Sequence, residues 1–309
     1  MGASLTIRNG SRGVYVERLQ SALNGHRPLG SPALVVDGVC GPATLTAAAH
    51  ALGWRSVGSL NRADLKRIGV NVLLLADLSG HNEGGPKRPV DVDRMAADGV
   101  DGCWWKLTQG RTYLNTEARR QIDEAGSVML RGGYHFGDPS ADRTGLDLTA
   151  LFDDARQEAD HYLRARDVFG GGGPELPDVL DVERGHGSKL SRLAAAYFRP
   201  GRAKRAEMTA RWCLAWLDRV ERVTGRRPWI YTARWAQRAY LRAAPAPLLA
   251  ELAQYPVWLA SYNGGTEPAR PLDAPFGRCR AWQFTGSGSI DGVDGRVDLS
   301  WALLEDLAQ

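Results

Sequence analysis

The chain has 309 residues, 43% hydrophobic and 24% charged, a balance that builds a sizeable core and excludes a disordered chain. Its net charge of +4 is carried mainly by arginine, without the dense basic block interleaved with aromatics that a nucleic-acid surface needs. Cys40, Cys103, Cys213 and Cys279 are widely scattered, so they read as reduced core residues, neither a disulfide frame nor a metal site.

No apolar run reaches the length of a membrane span, and the opening Met1–Gly13 lacks the apolar stretch of a signal peptide. The expectation is a protein without membrane insertion or leader. Val14–Asn24 places Val16, Leu19, Gln20 and Leu23 on one helical stripe. Asp37-Gly38 makes a tight turn, and Gly41-Pro42-Ala43-Thr44 starts a second helix that runs through the alanines to Leu52. Taken singly, Asp37, Gly38 and Thr44 read as turn and cap residues. Together with Gly10-Ser11-Arg12-Gly13, the helical stripe and Val36–Thr44 resemble the small three-helix peptidoglycan-binding module of bacterial and phage wall hydrolases. That module usually closes on an aromatic-Gln pair, where this chain has Ala49-His50-Ala51-Leu52. The resemblance implies an all-α wall-binding module over residues 1–58, a linker over 59–70 and a second domain over 71–309.

From residue 71 short apolar runs alternate with amphipathic helices. Strands are predicted at Asn71–Ala76, Gly102–Lys106, Val128–Tyr134, Val179–Glu183, Trp229–Thr232, Val257–Tyr262 and Ala281–Phe284. Helices are predicted at Thr116–Glu124, Leu151–Arg166 and Met208–Thr224, and the basic run from Arg199 to Arg211 reads as the solvated start of the last. This order implies an α/β fold with a parallel sheet closed into a β/α barrel. Gly170–Gly173 is a loop and not a phosphate cradle, since no Lys-Ser/Thr follows it.

Pro177–Gly185, reading PDVLDVERG, is the most telling stretch. Alternation along a strand puts Asp181 and Glu183 on one face, about 6–7 Å apart. Two such carboxylates repel, so one keeps its proton near neutral pH, as a general acid requires. In a barrel, functional groups gather at the C-terminal strand ends. Those ends carry Asp77, Lys106, Tyr134-His135, Asp181, Glu183, Tyr231, Trp258, Tyr262 and Trp282-Gln283, with Asp298 in the segment after them. Tyr134, Tyr231, Trp258, Tyr262 and Trp282 are candidates to stack on or hydrogen-bond sugar rings. No His/Cys/Asp cluster has zinc spacing, so neither a metal nor another cofactor is expected.

Several segments now make a specific resemblance. They are Asp77–Asn82, Lys106–Gly110, Gly133–Phe136, Leu180–Glu183, Pro228–Thr232, Val257–Tyr262, Trp282–Thr285 and Val297–Leu299. Residues from about 72 onward resemble glycoside hydrolase family 25, the Chalaropsis-type lysozymes common in phage lysins. The resemblance implies an irregular, TIM-like β/α barrel that cleaves the β-1,4 bond after N-acetylmuramic acid. Glu183 is then the general acid and later the base that activates water. Asp181 would stay ionised, raising the pKa of Glu183 and acting either on positive charge at the sugar or on its 2-acetamido arm. Asp77 and Asp298 match the family's other pocket acids. Lys106 pairs with a pocket acid, and His81 and His135 serve as scaffold. Gln109 stands where the family often has Glu.

The overall expectation is a monomeric, endolysin-like N-acetylmuramidase whose N-terminal module holds it on peptidoglycan. It would be made in the host cytoplasm and reach the wall through a separate membrane lesion. Two alternatives differ in kind. One is a wall-binding protein with an inactive barrel. The other is a different hydrolase of N-acetylated glycans or of the wall. A chitinase-type acid string would need an acid where Leu176 stands, and a zinc amidase would need His ligands.

Overall fold

The computed structural model describes residues 5–82, 88–126, 128–139, 147–185, 201–262, 276 and 279–307. The chain opens with β1 (Thr6–Arg8), α1 (Val14–His26), α2 (Pro42–Leu52), β2 (Ser59–Asn61) and α3 (Arg62–Arg67). Helix α1 buries Val16, Leu19, Gln20 and Leu23, the stripe read from the sequence, and adds Tyr15. Gln20 ties the turn to this helix: its amide donates to Asp37 Oδ1 (2.9 Å), and its carbonyl accepts from the Gly38 N–H (2.9 Å). Gly38 has φ +70°, and a Cβ there would also press on the Glu17 side chain at 3.0 Å, so glycine is required.

Residues 59–70, expected as a linker, instead carry β2 and α3. Strand β2 pairs antiparallel with β1, and Asn61 caps α3 in a reciprocal box with Asp64. Three-residue strands are too short to leave a periodic trace. One apolar core runs from Leu5, Ile7, Leu19 and Leu65 to Val72, Trp301 and Leu303, so the N-terminal elements and the barrel share it.

The barrel strands are β3 (Val72–Leu78), β4 (Gly102–Gln109), β6 (Leu130–Phe136), β7 (Val179–Asp181), β8 (Trp229–Ala233), β9 (Val257–Ala260), β10 (Cys279–Gly288) and β11 (Val297–Leu303). Their order is β3-β11-β10-β9-β8-β7-β6-β4, and a β3–β4 pairing closes the ring; the short β5 (Tyr113–Leu114) extends β4 outside it. The pairings are parallel except at β11, which runs antiparallel to both β10 and β3. This is the closed α/β barrel expected, with an antiparallel strand that the parallel pattern did not foresee. The outer helices are α4 (Val92–Ala97), α5 (Glu117–Ala125), α6 (Leu148–Ala165), α7 (Arg202–Thr224), α8 (Arg234–Tyr240), α9 (Ala246–Leu252) and α10 (Leu304–Leu307).

Indoles fill the inside of the barrel. Trp104 stacks on Trp258 with centroids 4.3 Å apart and lies 6.1 Å from Trp229. A Cβ at Gly132 would sit 2.4 Å from the Trp104 ring, so glycine there makes room for the plug. The Trp104 and Trp258 N–H groups donate to Pro177 O (3.0 Å) and Ser300 Oγ (2.9 Å).

The N-terminal elements are fastened where β3 and β4 begin. Arg18 of α1 pairs with Glu305 at 3.0 Å and approaches Asp306 at 3.9 Å; Asp306 also pairs with Arg280. Arg62 pairs with Asp101, whose carboxylate also accepts the Leu74 N–H at 2.7 Å. Asp306 is 2% exposed, so removing its charge between two guanidiniums is expensive. Asp306→Ala should lower unfolding stability by about 3 kcal/mol, read from the denaturant midpoint. An unchanged midpoint would show that apolar packing alone joins the two parts.

Candidate active site

Strand ends and one backbone contact bring the acids together. Asp77 near the end of β3 and Asp298 at the start of β11 are register partners, so their side chains rise on neighbouring strands. Asp181 ends β7. The chain then stays extended as the Val182 N–H donates to Tyr231 O (2.8 Å), and Val182 itself is buried. Strand β7 is anchored at its base by Asp178, which accepts from Tyr162 Oη and from Arg166 Nε, each at 2.7 Å. Asp77, Lys106, Tyr134, Asp181, Glu183 and Asp298 all line one pocket of about 200 Å³. Glu183 and Tyr231 also line a wider adjoining groove of about 730 Å³.

Burial in this mouth sets the electrostatics. It pushes the Asp181 carboxyl well above the usual range, with Glu183 adding to the rise and Lys106 opposing it. Burial likewise raises Glu183, against the pull of the Tyr231 hydroxyl, Lys106 and Arg184. Both carboxyls are thus raised, with burial as the first cause in each. Asp181 is 6% exposed at the strand end, whereas Glu183 stands two residues farther out and is half-buried. The deeper acid is the more desolvated one. Asp77 is raised well above its ordinary value by burial and then by Asp298, and the latter is pushed up to about 6 by burial and then by Glu183.

Lys106 does not make the direct ion pair expected of it. Its Nζ donates to Gln109 Oε1 (2.6 Å) and sits 4.5 Å from the Phe136 ring centroid. Burial lowers its pKa, and the nearby Asp181 charge partly restores it. Gln109 thus gives the ammonium a neutral acceptor, and Lys106 acts on Asp181 and Glu183 through its charge.

The aromatic candidates divide. Tyr134, Tyr231 and Trp258 line the acid pocket, and Tyr262 lines the groove with 59% exposure. Trp258 is 1% exposed and stacked on Trp104, which makes it the floor of the pocket and not an open sugar platform. Trp282 is not in the site: it is 2% exposed, packs edge-on to Phe284 and donates to Ser261 O. His135 is scaffold, as expected, buried between Thr108 (2.7 Å) and Glu158 (2.8 Å) with its pKa lowered by burial to about 3. His81 lines the pocket at its exposed edge.

Gln283, which the sequence placed at a strand end without a role, joins the acid pocket to the groove. It is fully buried; its amide donates to Asp77 Oδ2 (2.9 Å), and its carbonyl accepts from Tyr231 (2.9 Å) and Tyr262 (2.5 Å). One side chain thereby orients an acid of the pocket and two hydroxyls of the groove. The available signal was alternation: with Trp282 facing outward, the next residue must face into the barrel. Among the described residues, no group of three or more His, Cys, Asp and Glu side chains is arranged to hold a metal ion.

Carboxyls converging in a cleft beside exposed aromatics, at the mouth of a β/α barrel, define a glycosidase-type site. The profile of glycosyl hydrolases family 25 matches residues 77–293, well over half of the chain. The chain is 28% identical over 206 residues to the N,O-diacetylmuramidase of Chalaropsis sp, covering 62% of this chain and 82% of that protein. Its fold is similar to that of the modular autolysin LytC from Streptococcus pneumoniae, with a TM-score of 0.56 and 18% identity. That likeness covers 74% of this chain and 46% of LytC, so the chain spans about half the length of that relative. The CTP1L endolysin has a similar fold at TM-score 0.53 and 22% identity, covering 76% of this chain and 67% of the endolysin. The chain belongs to glycosyl hydrolases family 25 and is a glycoside hydrolase of the lysozyme type.

Two measurements probe the electrostatics and the positioning network. Asp298 is lifted from 3.8 to about 6, so the folded state holds this proton more tightly than the unfolded chain does. Folding stability therefore falls as pH rises from the free value through the folded one, and the whole penalty is present above it. Asp298→Asn should raise stability at neutral pH and flatten that part of the profile in denaturant titrations across pH; an unaltered profile would contradict the lifted pKa. Gln283→Leu removes the partner of Asp77 and of both tyrosines. It should cost about 1–3 kcal/mol of stability and lower kcat with the pocket's pH dependence changed. A wild-type pH profile in that variant would reduce Gln283 to packing.

Proposed function

We propose that the protein is an N-acetylmuramidase that cleaves the β-1,4 bond between N-acetylmuramic acid and N-acetylglucosamine in peptidoglycan. The observation that carries this reading is Glu183, a half-buried carboxyl with a raised pKa where the acid pocket meets the groove. A glycan strand lying across that junction brings a glycosidic oxygen to Glu183. Glu183 donates its proton to that oxygen as the bond to the anomeric carbon breaks, then takes a proton from the water that attacks the same carbon. Lys106 and Arg184 attract the anion that forms between the two steps.

The role of Asp181 follows from its depth. Its Oδ1 is buried without a hydrogen-bond partner among the described residues. A 2-acetamido N–H entering the pocket would supply that partner and aim the amide oxygen at the anomeric carbon. This supports the substrate-assisted route, in which the acetamido oxygen bonds to that carbon as the leaving group departs and water later displaces it. The hydroxyl oxygens of Tyr231 and Tyr262, whose protons go to Gln283, remain as acceptors for sugar hydroxyls on the groove side, and the exposed Tyr262 adds an aromatic face.

The finer reading is of a monomeric endolysin for host lysis, made in the host cytoplasm and released to the wall through a separate membrane lesion. Its support is the wall-module resemblance of the N-terminal residues and the fold shared with the CTP1L endolysin. In this reading the N-terminal elements contact peptidoglycan, and the barrel acts on the same polymer.

The test is digestion of purified peptidoglycan, followed by borohydride reduction and mass spectrometry of the new ends. New reducing muramic acid is expected; new glucosamine ends or freed stem peptides would overturn the assignment. Glu183→Gln should lose about 10²–10⁴-fold in rate while still sedimenting with walls. Walls that bind the native protein but yield no new ends would make it a binding barrel without catalysis.

A further inference from the structure

The sign of charge reverses at Glu183. On one side the pocket gathers Asp77, Asp181 and Asp298; on the other the groove is lined by Arg202, Arg234 and Arg238. Among the described lining residues of the groove, Glu183 is the sole carboxylate. Arg234 and Arg238 lie one turn apart on α8 and so share a face, and Arg202 opens α7. The Arg202 guanidinium donates to the backbone oxygen of Arg238, which ties the two helices together at the groove wall. Between the arginines stands Trp235, 55% exposed, with its ring edge-on to Tyr240 at 6.0 Å.

We propose that this groove is a stem-peptide subsite, which receives the carboxylates of the peptide carried on the lactyl arm of the muramic acid being cleaved. The proposal rests on the muramidase reading and names the part of the substrate that the basic side takes. The glycan itself is uncharged, whereas its peptides are acidic. The pocket, where carboxyls outnumber the Lys106 cation, does not favour a peptide anion, whereas three guanidiniums beside it attract one. The planar fork of a guanidinium matches a carboxylate in geometry as well as in charge. Trp235 adds an apolar face for the aliphatic parts of the peptide. Because the groove meets the pocket at Glu183 and Tyr231, a peptide lying in it hangs from a sugar next to the broken bond.

The consequence is selectivity for strands that carry peptides. The experiment compares soluble, uncrosslinked strands bearing peptides with the same strands stripped by an amidase, which leaves a free lactyl carboxylate on each muramic acid. The native enzyme should show the higher kcat/KM on peptide-bearing strands, an advantage that shrinks with added salt. In Arg234→Gln/Arg238→Gln the ratio of kcat/KM for peptide-bearing over stripped strands should fall about tenfold or more, mostly through KM. Arg234→Lys/Arg238→Lys should restore part of the ratio, since charge returns without the fork. An unchanged ratio in the Gln variant overturns the proposal, as does an equal loss on both strands, which would assign the arginines to the lactyl carboxylate. Should the Gln variant fail to fold, a native ratio insensitive to salt overturns it equally. If the native enzyme cuts neither strand, the muramidase reading has failed, a result distinct from these.

Discussion

The active site depends on how β11 is paired. Running against its neighbours, β11 presents its start at the mouth where the parallel strands present their ends. Its first residues therefore meet the last residues of β3, and Asp298 arrives opposite Asp77. The pairing continues through six successive partners to Leu303 and Val72, which fixes the register. A slip of one residue would turn Asp298 outward and send Leu299 into the mouth. The same register sets Ser300 to accept the Trp258 N–H, so the strand that completes the acid cluster also pins the indole beneath it.

That indole floor explains the titration of the site. Trp104, Trp229 and Trp258 fill the barrel below the pocket and leave the inner acids no water on that side. An ionised carboxylate in such surroundings costs several kcal/mol unless it finds donors. The fold supplies few: Gln283 to Asp77, and the opposing charges of Lys106 and Arg184 near Asp181 and Glu183. Protons are consequently held above the usual carboxylate range across the cluster. The cost is offset by the apolar core shared between the barrel and the N-terminal elements. Catalytic acidity is thus a property of the plug as much as of the acids.

Much of this was legible in the sequence, for identifiable reasons. Unbroken apolar runs ending in a polar residue mark buried parallel strands, so Asp77, Asp181, Tyr231 and their neighbours were assigned to strand ends correctly. Depth was not legible. Alternation says that Asp181 and Glu183 share a face, but the mouth's slope decides that Asp181 is the more desolvated. Nor does an apolar run tell which side faces the lumen: Trp258 points inward as floor and Trp282 outward into the core. Gln283 was seen at a strand end but given no role, because an amide has no charge to draw attention, although its donor and acceptor together link Asp77 to Tyr231 and Tyr262. Strand β2 and helix α3 were missed because elements that short take their stability from tertiary contact.

The N-terminal elements gain a different meaning from their seat. They attach through Arg18 and Arg62 at the end of the barrel where β3 and β4 begin, opposite the mouth. A flexible tether lets a weak binder raise local enzyme concentration over a range set by its length. Here the range is instead a fixed offset of at least one strand length, about 20 Å. Any wall ligand held by residues of α1 and α2 must therefore present a scissile bond at that offset, on another strand or farther along the polymer. Binding and cleavage on one short fragment would exclude each other, while an extended, layered wall satisfies both. Under the proposed wall-binding role of these elements, such a seat favours the assembled polymer over its soluble pieces, a preference that a jointed pair of domains would lack.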